Sequence, residues 1–389
     1  MPARSKVARI NERQFRNTSQ PPSPNLTEAA IEQVQVTCYT IPTDFPESDG
    51  TYAWDKTTMV LVEATSQGMQ GLGYTYADRS AGQLVGGHLG KVVRGRSALD
   101  VEACWHAMRS SVRNLGKPGI AAMAISAVDI CLWDLKAKLL GVSLCNLLGS
   151  VREEVPIYGS GGFTSYSIEQ LQSQLGSWAE SGISMVKMKI GRHPEQDTER
   201  IRAAREAIGP NVRLFVDANG AYGRKQALLF AEQSREMGVT WFEEPVPADD
   251  LEGLRLLRNR APAEMDIAAG EYNYGPLDFR RMFEAEAVDV MQADASRCGG
   301  ITGFLQAATL CLARSMPLSA HTAPAIHAHV GCAVQPLRHL EYFHDHLRIE
   351  EMFFKGVLQP QNGKLRPDRQ RPGLGLVPRR AVMAKYQVD

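Results

Sequence analysis

The stretch MVKMKIGRHPEQDTERIRAAREAIG (residues 185–209) shows the unit from which most of this chain is built. A short apolar run ends in polar residues, and the pattern of an amphipathic helix follows and stops at a glycine. Further units of the same kind begin with RLFVDANG, WFEEP, DIAAGE, VDVMQADASRCGG and LSAHTAP. Six consecutive strand–helix units of about 25 residues favour a parallel (β/α) barrel over an open sheet.

The remaining two barrel strands are predicted at PIYGSGG and RHLEYF. Before them, IEQVQVTCYTIP, TTMVLVEATS and GLGYTYA resemble strands of a small antiparallel sheet, and residues 118–141 have the pattern of a helix. The predicted fold is therefore α/β: a modified TIM-like (β/α) barrel with an α+β capping domain. We expect a tail at 1–28, the capping domain at 29–152, the barrel at 153–346, and a turn-rich segment at 347–389 that returns to the capping domain.

Composition excludes several classes of protein. The 43 basic and 43 acidic residues balance, so no long-range field attracts nucleic acid or anionic lipid. No run approaches the roughly 18 apolar residues of a membrane span. The seven cysteines include no CxxC pair, which favours reduced thiols and a cytoplasmic location. The basic, Ser- and Pro-containing residues 1–28 are more typical of a disordered tail than of a targeting peptide.

Charged residues stand where the predicted barrel strands end. The C-terminal ends of the strands form the active face of such barrels, so polar side chains there are candidates for function. An isolated acid at this position more often caps a helix, but a charged group at nearly every strand makes that explanation weak. The candidates in chain order are Lys187, Lys189, Asp217, Asn219, Glu243, Glu271, Asp294, His321 and Glu341.

Three of these candidates suggest a metal site. Asp217, Glu243 and Glu271 close consecutive strands, which places three carboxylates side by side. Oxygen ligands without a nearby cysteine are typical of a hard divalent cation, above all Mg²⁺. The alternative is a set of salt bridges to the neighbouring lysines.

The two lysines point to the same side of their strand, because side chains alternate with a period of two. About 7 Å apart, they repel each other by roughly 2.4 kcal/mol at an effective dielectric near 20, which favours a neutral form of one. Neighbouring carboxylates act on the pKa in the opposite direction, so the net shift stays open. A neutral lysine is a competent general base, and a charged one can hold a substrate carboxylate. Simple salt bridges across the barrel are again the alternative.

Asp294 and His321 close adjacent strands, so an Asp–His pair is expected in which the carboxylate fixes the imidazole tautomer. A metal site with a base on each side suits removal of a proton from carbon next to a carboxylate, because positive charge stabilises the enediolate. Four further histidines form two pairs, His327 with His329 and His344 with His346. The members of a pair are two residues apart, so on a helix they point about 200° apart, and all four are interpreted as packing or surface residues.

The motifs resemble the enolase superfamily, specifically its mandelate racemase subgroup. The matching segments are VKMKIG, VDANG, FEEP, AAGE, QADASRCGG, SAHTAP, HLEYF and the helix AISAVDICLWDLKAK, and the resemblance spans about residues 32–380. The muconate-cycloisomerase-like branch has a lysine where this chain has Asp294, so the pairing with His321 favours the mandelate racemase branch.

The resemblance implies a Mg²⁺-dependent enzyme with Lys189 and His321 as bases. Lys187 and Glu341 would hold the substrate carboxylate or its enolic form. The loop DGTYAWDKTT would cover the barrel, with Tyr52, Trp54 and Asp55 either lining the substrate pocket or packing at the surface.

Family frequency favours dehydration of an acid sugar to a 2-keto-3-deoxy acid. A racemase or epimerase of a 2-hydroxy acid is the alternative, and a non-catalytic metal-binding homologue is a second one. We expect a small-molecule carboxylate substrate, no nucleic-acid or membrane partner, and a homo-oligomer.

Overall fold

The capping region begins with an antiparallel sheet. The computed structural model describes residues 29–388, so the predicted tail at 1–28 lies outside the described residues. The strands of the antiparallel sheet are β1 (Gln33–Ser48), β2 (Ala53–Ser66) and β3 (Met69–Tyr76), which pair in that order. The helices that follow are α1 (Arg79–Leu84), α2 (Gly90–Val93), α3 (Val101–Ser111), α4 (Ile120–Leu139) and α5 (Leu144–Leu148), with a π-helical turn at Val85–Leu89.

The barrel consists of eight parallel strands, which confirms the predicted fold class. They are β4 (Val155–Gly161), β5 (Met185–Lys189), β6 (Arg213–Asp217), β7 (Val239–Glu243), β8 (Asp266–Ala269), β9 (Val290–Ala293), β10 (Leu318–Ala320) and β11 (Leu337–Phe343). Strand β11 pairs with β4 and closes the barrel. The outer helices are α6 (Ile168–Glu180), α7 (Pro194–Ile208), α8 (Arg224–Ser234), α9 (Leu251–Arg260), α10 (Pro276–Glu284), α11 (Gly300–Ala313), α12 (Pro324–Ala333) and α13 (His344–Phe353), with a 3-10 turn at Arg235–Met237.

The inside of the barrel has an apolar layer below a charged layer. Tyr158, Met185, Phe215, Trp241, Ala268 and Val290 form a separate buried cluster. Two residues further along β5, β6 and β7, the same face carries Lys187, Asp217 and Glu243. Because side chains alternate with a period of two, the charged groups lie at the mouth of the barrel, directly above the packed apolar layer.

The C-terminal residues return to both parts of the fold. They form β12 (Phe354–Lys355), β13 (Lys364–Leu365), β14 (Val377–Pro378), α14 (Arg380–Met383) and β15 (Gln387–Val388). Strand β13 pairs with β4 of the barrel, whereas β15 pairs with β1 of the capping sheet. The predicted division at residue 346 falls inside α13, and the domain limits stay a prediction. Among residues 29–388, no helix is long and apolar enough to cross a membrane.

Helix α4 caps a barrel helix from outside the barrel. Ser126 Oγ accepts hydrogen bonds from the backbone N–H groups of Gly299 and Gly300, at 2.9 and 3.0 Å. Asp129 accepts from the backbone N–H and the hydroxyl of Thr302, at 3.0 and 2.6 Å. These bonds satisfy the first N–H groups of α11, which has no side-chain cap of its own. A Cβ on Gly300, whose φ is +83°, would come within 2.2 Å of Asp129 Oδ2, so this close approach requires glycine.

Replacing Asp129 with alanine should lower the free energy of unfolding by about 2–3 kcal/mol, because a buried cap is lost and donors of α11 are left unpaired. Asp129→Asn keeps one acceptor oxygen and should cost less. Urea unfolding of both variants measures the difference, with the exposed Glu102→Ala as control. An Asp129→Ala protein as stable as the control would contradict the capping role.

Candidate active site

A cavity of about 520 Å³ lies between the capping sheet and the mouth of the barrel. Its lining combines residues from barrel strand ends with residues from β2, β3 and the loop before β2. The predicted site residues that line it are Lys189, Asn219, Glu271, His321, Glu341, Tyr52 and Trp54. Lys187, Asp217, Glu243 and Asp294 lie behind this surface, and Asp55 does not line it.

The three predicted metal ligands come together as expected. Asp217 is the register partner of both Lys189 on β5 and Glu243 on β7, so parallel pairing sets the two carboxylates side by side. Glu271 follows β8 by two residues. One oxygen from each of these three carboxylates lies within 4.8 Å of the others, and all three side chains are buried.

Lys187 is the positive centre of this arrangement. Its side chain is 0% exposed, and its ammonium contacts Glu243, Glu341 at 2.8 Å and Asp217 at 3.2 Å. Lys189 donates to Asp217 at 2.5 Å and is 6% exposed. The two lysines share one face, as predicted, but only Lys189 reaches the cavity.

The sequence left open whether repulsion between the two lysines or attraction to the carboxylates sets their charge. Burial lowers the pKa of each lysine, but the surrounding carboxylates outweigh it. Glu243 and Glu341 hold the pKa of Lys187 well above its ordinary value, and Asp217 raises the pKa of Lys189 although Lys187 opposes it. Attraction at hydrogen-bond distance exceeds repulsion across two residues of strand.

The predicted Asp–His pair is present. His321 Nδ1 lies 2.9 Å from Asp294 Oδ2, while Oδ1 of Asp294 accepts from the backbone and hydroxyl of Ser296 at 2.6 and 2.7 Å. On the opposite edge, His321 Nε2 lies 3.2 Å from Glu271 Oε2. Burial lowers the pKa of His321, but Glu271, Glu341 and the bond to Asp294 raise it to about 10. These contacts favour the imidazolium form of His321.

Several cavity residues were not anticipated from the sequence. Arg297 pairs with Glu271 at 3.2 Å and Asp294 at 3.6 Å, and its guanidinium lies 5.3 Å from the centre of the Tyr272 ring. It stands three residues after Asp294 in the same strand–helix loop, and that proximity was the available signal. Lys56 also lines the cavity.

Two of the histidines interpreted as packing residues lie close to the site. His346 lines the cavity and stacks on Tyr76, with ring centres 3.4 Å apart. His327 lies behind the Asp–His pair, where Nε2 accepts from the backbone of Ala295 at 2.9 Å. His346 is therefore a cavity residue as well as a packing residue, which the sequence spacing did not reveal.

The residues at the mouth fit a divalent cation. The buried carboxylates here outnumber the cationic side chains by five to four even with His321 protonated: Asp217, Glu243, Glu271, Asp294 and Glu341 against Lys187, Lys189, Arg297 and His321. Glu271 Oε2 is buried and accepts no hydrogen bond of good geometry, although His321 Nε2 lies 3.2 Å from it. An excess of buried carboxylate oxygens matches the ligand preference of Mg²⁺.

Comparisons with known proteins identify the family of this chain. Residues 31–149 match the model of the mandelate racemase / muconate lactonizing enzyme N-terminal domain, and residues 170–382 match the enolase C-terminal domain-like model. The L-talarate/galactarate dehydratase of Salmonella typhimurium is 30% identical over 347 residues, 86% of this chain and 86% of the relative. The chain therefore belongs to the mandelate racemase / muconate lactonizing enzyme family of the enolase superfamily.

Two solved structures are similar over most of their length. A mandelate racemase/muconate lactonizing enzyme-like protein from Rubrobacter xylanophilus is 55% identical with a TM-score of 0.91, covering 92% of this chain and 100% of that one. A racemase from Streptomyces coelicolor with bound magnesium is 30% identical with a TM-score of 0.86, over the same shares of the two chains.

Lys187→Met should lower the free energy of unfolding in EDTA by about 3–5 kcal/mol, because it leaves buried carboxylates without their counter-charge. The matched control is Lys364→Met, which breaks the half-exposed pair with Glu154 and should leave stability unchanged. Thermal and urea unfolding measure both. Equal stability of the two variants would contradict the role given to Lys187.

Proposed function

We propose that this protein removes the α-proton of a hydroxycarboxylate and dehydrates an acid sugar to its 2-keto-3-deoxy acid. The observation that carries the proposal is that Lys189 and His321, two acid/base groups, line one cavity together with Glu271 of the carboxylate triad. The dehydratase activity of the Salmonella relative supports the same chemistry. Each residue role given below is part of the proposal.

Asp217, Glu243 and Glu271 would hold Mg²⁺. When bound, the cation supplies positive charge to the substrate carboxylate and to Asp217, which otherwise holds a proton on Lys189. Asn219 and Glu341, which both line the cavity, would bind the substrate. Lys187, behind them, supplies positive charge through Glu341 and Asp217 rather than by direct contact with the cavity.

Proton transfer is assigned to the two cavity bases. Neutral Lys189 takes the proton from C2, and the electron pair moves into the carboxylate to give the enediolate. The imidazolium of His321, oriented by Asp294, gives its proton to the hydroxyl on C3 as the C3–O bond breaks, so that water leaves. The resulting enol becomes the 2-keto-3-deoxy acid by gaining a proton at C3 and losing the proton of its C2 hydroxyl.

The lining of the cavity favours a sugar acid over an aryl acid. Hydroxyl and ammonium groups are contributed by Thr51, Thr57, Thr58, Tyr76 and Lys56, which suit a chain of hydroxyl groups. The aromatic side chains of Tyr52 and Trp54 stack on each other, with ring centres 6.2 Å apart, and Tyr272 and Phe343 also line the cavity. Racemisation is the second candidate, because His321 and Lys189 are both available to the same cavity.

Saturating Mg²⁺ should stabilise the protein by about 2–3 kcal/mol at a concentration 100 times its Kd. Glu243→Gln and Asp217→Asn should lose this response. Glu244→Gln is the matched control, because burial and the charge of Glu271 hold the pKa of Glu244 well above its ordinary value and its neutral form resembles glutamine. Unfolding with and without Mg²⁺ measures the effect, and an unchanged response in Glu243→Gln would contradict the ligand assignment.

Activity is tested by a screen of acid sugars and 2-hydroxy acids with Mg²⁺ in deuterated water. The screen reads 2-keto acid formation and α-deuterium incorporation together. Keto acid formation is expected with an acid sugar. Deuterium incorporation without keto acid would replace dehydration by racemisation or epimerisation, and neither product with any substrate would favour the non-catalytic alternative.

Lys189→Ala and His321→Asn should each abolish turnover and keep the stabilisation by Mg²⁺, because both remove a base and leave the carboxylate triad in place. Lys225→Ala, an exposed lysine on α8, is the control and should retain wild-type activity. Full activity in either site variant would overturn its assigned role.

A further inference from the structure

A second group of metal-type ligands lies at the rim of the barrel. Asp44 and Glu47 on β1 and His344 at the start of α13 each offer one ligand atom, and these atoms lie within 4.8 Å of one another. Within residues 29–388, this group and the carboxylate triad are the two such clusters. The rim cluster, Asp44, Glu47 and His344, takes no part in the proposed reaction.

A bulge in β1 builds the rim cluster. The pairing of β1 with β2 loses register between Pro42 and Glu47, so that several residues of β1 stand opposite a single residue of β2. His344, on the barrel side, places its Nε2 atom 2.9 Å from Oδ2 of Asp44 in the capping sheet. Arg348 fixes the start of the bulge by donating to the carbonyl oxygen of Pro42 at 2.8 Å.

A buried oxygen without a partner points to a ligand here. Glu47 is only 1% exposed, and its Oε2 accepts a hydrogen bond from Trp54 Nε1 at 2.8 Å. Its Oε1 is buried and has no hydrogen-bond partner among the described residues. Buried carboxylate oxygens are almost always satisfied, so a cation, a proton or a water is expected at this one.

The local charges also leave room for a dication. Asp345, next to His344, adds a third carboxylate, and it is paired with Arg348 at 2.6 Å. Three carboxylates, Asp44, Glu47 and Asp345, against one guanidinium leave two negative charges when all are ionised. We propose that Asp44, Glu47 and His344 bind one divalent transition-metal ion, for which Zn²⁺ is the probe, at a site separate from the carboxylate triad.

The donor set decides the class of metal. An imidazole nitrogen with two carboxylate oxygens is a ligand set that Zn²⁺ accepts, with a further position left for water. Mg²⁺ prefers oxygen ligands alone, so it competes poorly for the rim cluster. The two clusters therefore differ in chemistry as well as in place.

A metal in the rim cluster would fasten the wall of the substrate cavity. Trp54 lines the cavity and donates a hydrogen bond to Glu47 of the rim cluster. Phe343, the residue before His344, also lines the cavity. Bound metal would join β1 of the cap to α13 of the barrel and hold Trp54 in place. The competing occupant is a proton, because burial and the charge of Asp345 raise the pKa of Glu47 to about 9.

The test uses the full chain saturated with Mg²⁺ and dialysed against micromolar Zn²⁺, with bound metal counted by mass spectrometry. One Zn²⁺ per chain is expected. His344→Ala and Glu47→Gln should each weaken Zn²⁺ binding at least tenfold, while Glu243→Gln should retain it because that residue belongs to the triad. His106→Ala, an exposed histidine on α3, is the matched control.

Each result decides the proposal. Zinc lost from His344→Ala and kept by His106→Ala and Glu243→Gln supports it, whether or not Glu47→Gln folds. Zinc kept equally by His344→Ala would assign the metal elsewhere. No zinc on the wild-type chain would overturn the proposal. None of these readings depends on catalytic activity, so failure here is distinct from failure of the proposed reaction.

Discussion

The ion pairs of Lys187 are the constraint on which the barrel mouth depends. One fully buried ammonium contacts three carboxylates that belong to three different strands, β6, β7 and β11. Removing charges from water is costly, and it is tolerated here because opposite charges lie at hydrogen-bond distance and the apolar layer holds the strands in register. One ammonium does not neutralise three carboxylates, so the same contacts leave an excess of negative charge. The contacts that pack the mouth of the barrel therefore also give it the capacity to bind a cation.

The barrel and the positions of its charged residues could be predicted from the sequence because both follow from short-range periodicity. A period of two puts Lys187 and Lys189 on one face, and parallel pairing then sets Asp217 beside Glu243. These two rules and the closure of the barrel are enough to predict that the charged residues come together at the mouth of the barrel. Their chemical roles need more, since position alone does not show which group moves a proton.

What the sequence did not reveal depends on loop conformation and on contacts between distant segments. Asn219 and Glu244 adopt positive φ values of 45° and 37° directly after their strands, which no local pattern announces. Arg297 lines the cavity from the loop between β9 and α11, and His346 lines it from the first turn of α13. The charge state of the lysines stayed open for a related reason: spacing along a strand gives the distance between the lysines but not their distance to carboxylates on other strands.

The pairing of β15 with β1 links the order of synthesis to the order of folding. The edge of the capping sheet at Cys38 and Tyr39 is completed by Gln387 and Val388, which leave the ribosome after the whole barrel. During translation the β1 edge of the capping sheet therefore stays unpaired after all eight barrel strands have been synthesised. A nascent chain arrested before residue 387 would carry a closed barrel beneath an incomplete lid.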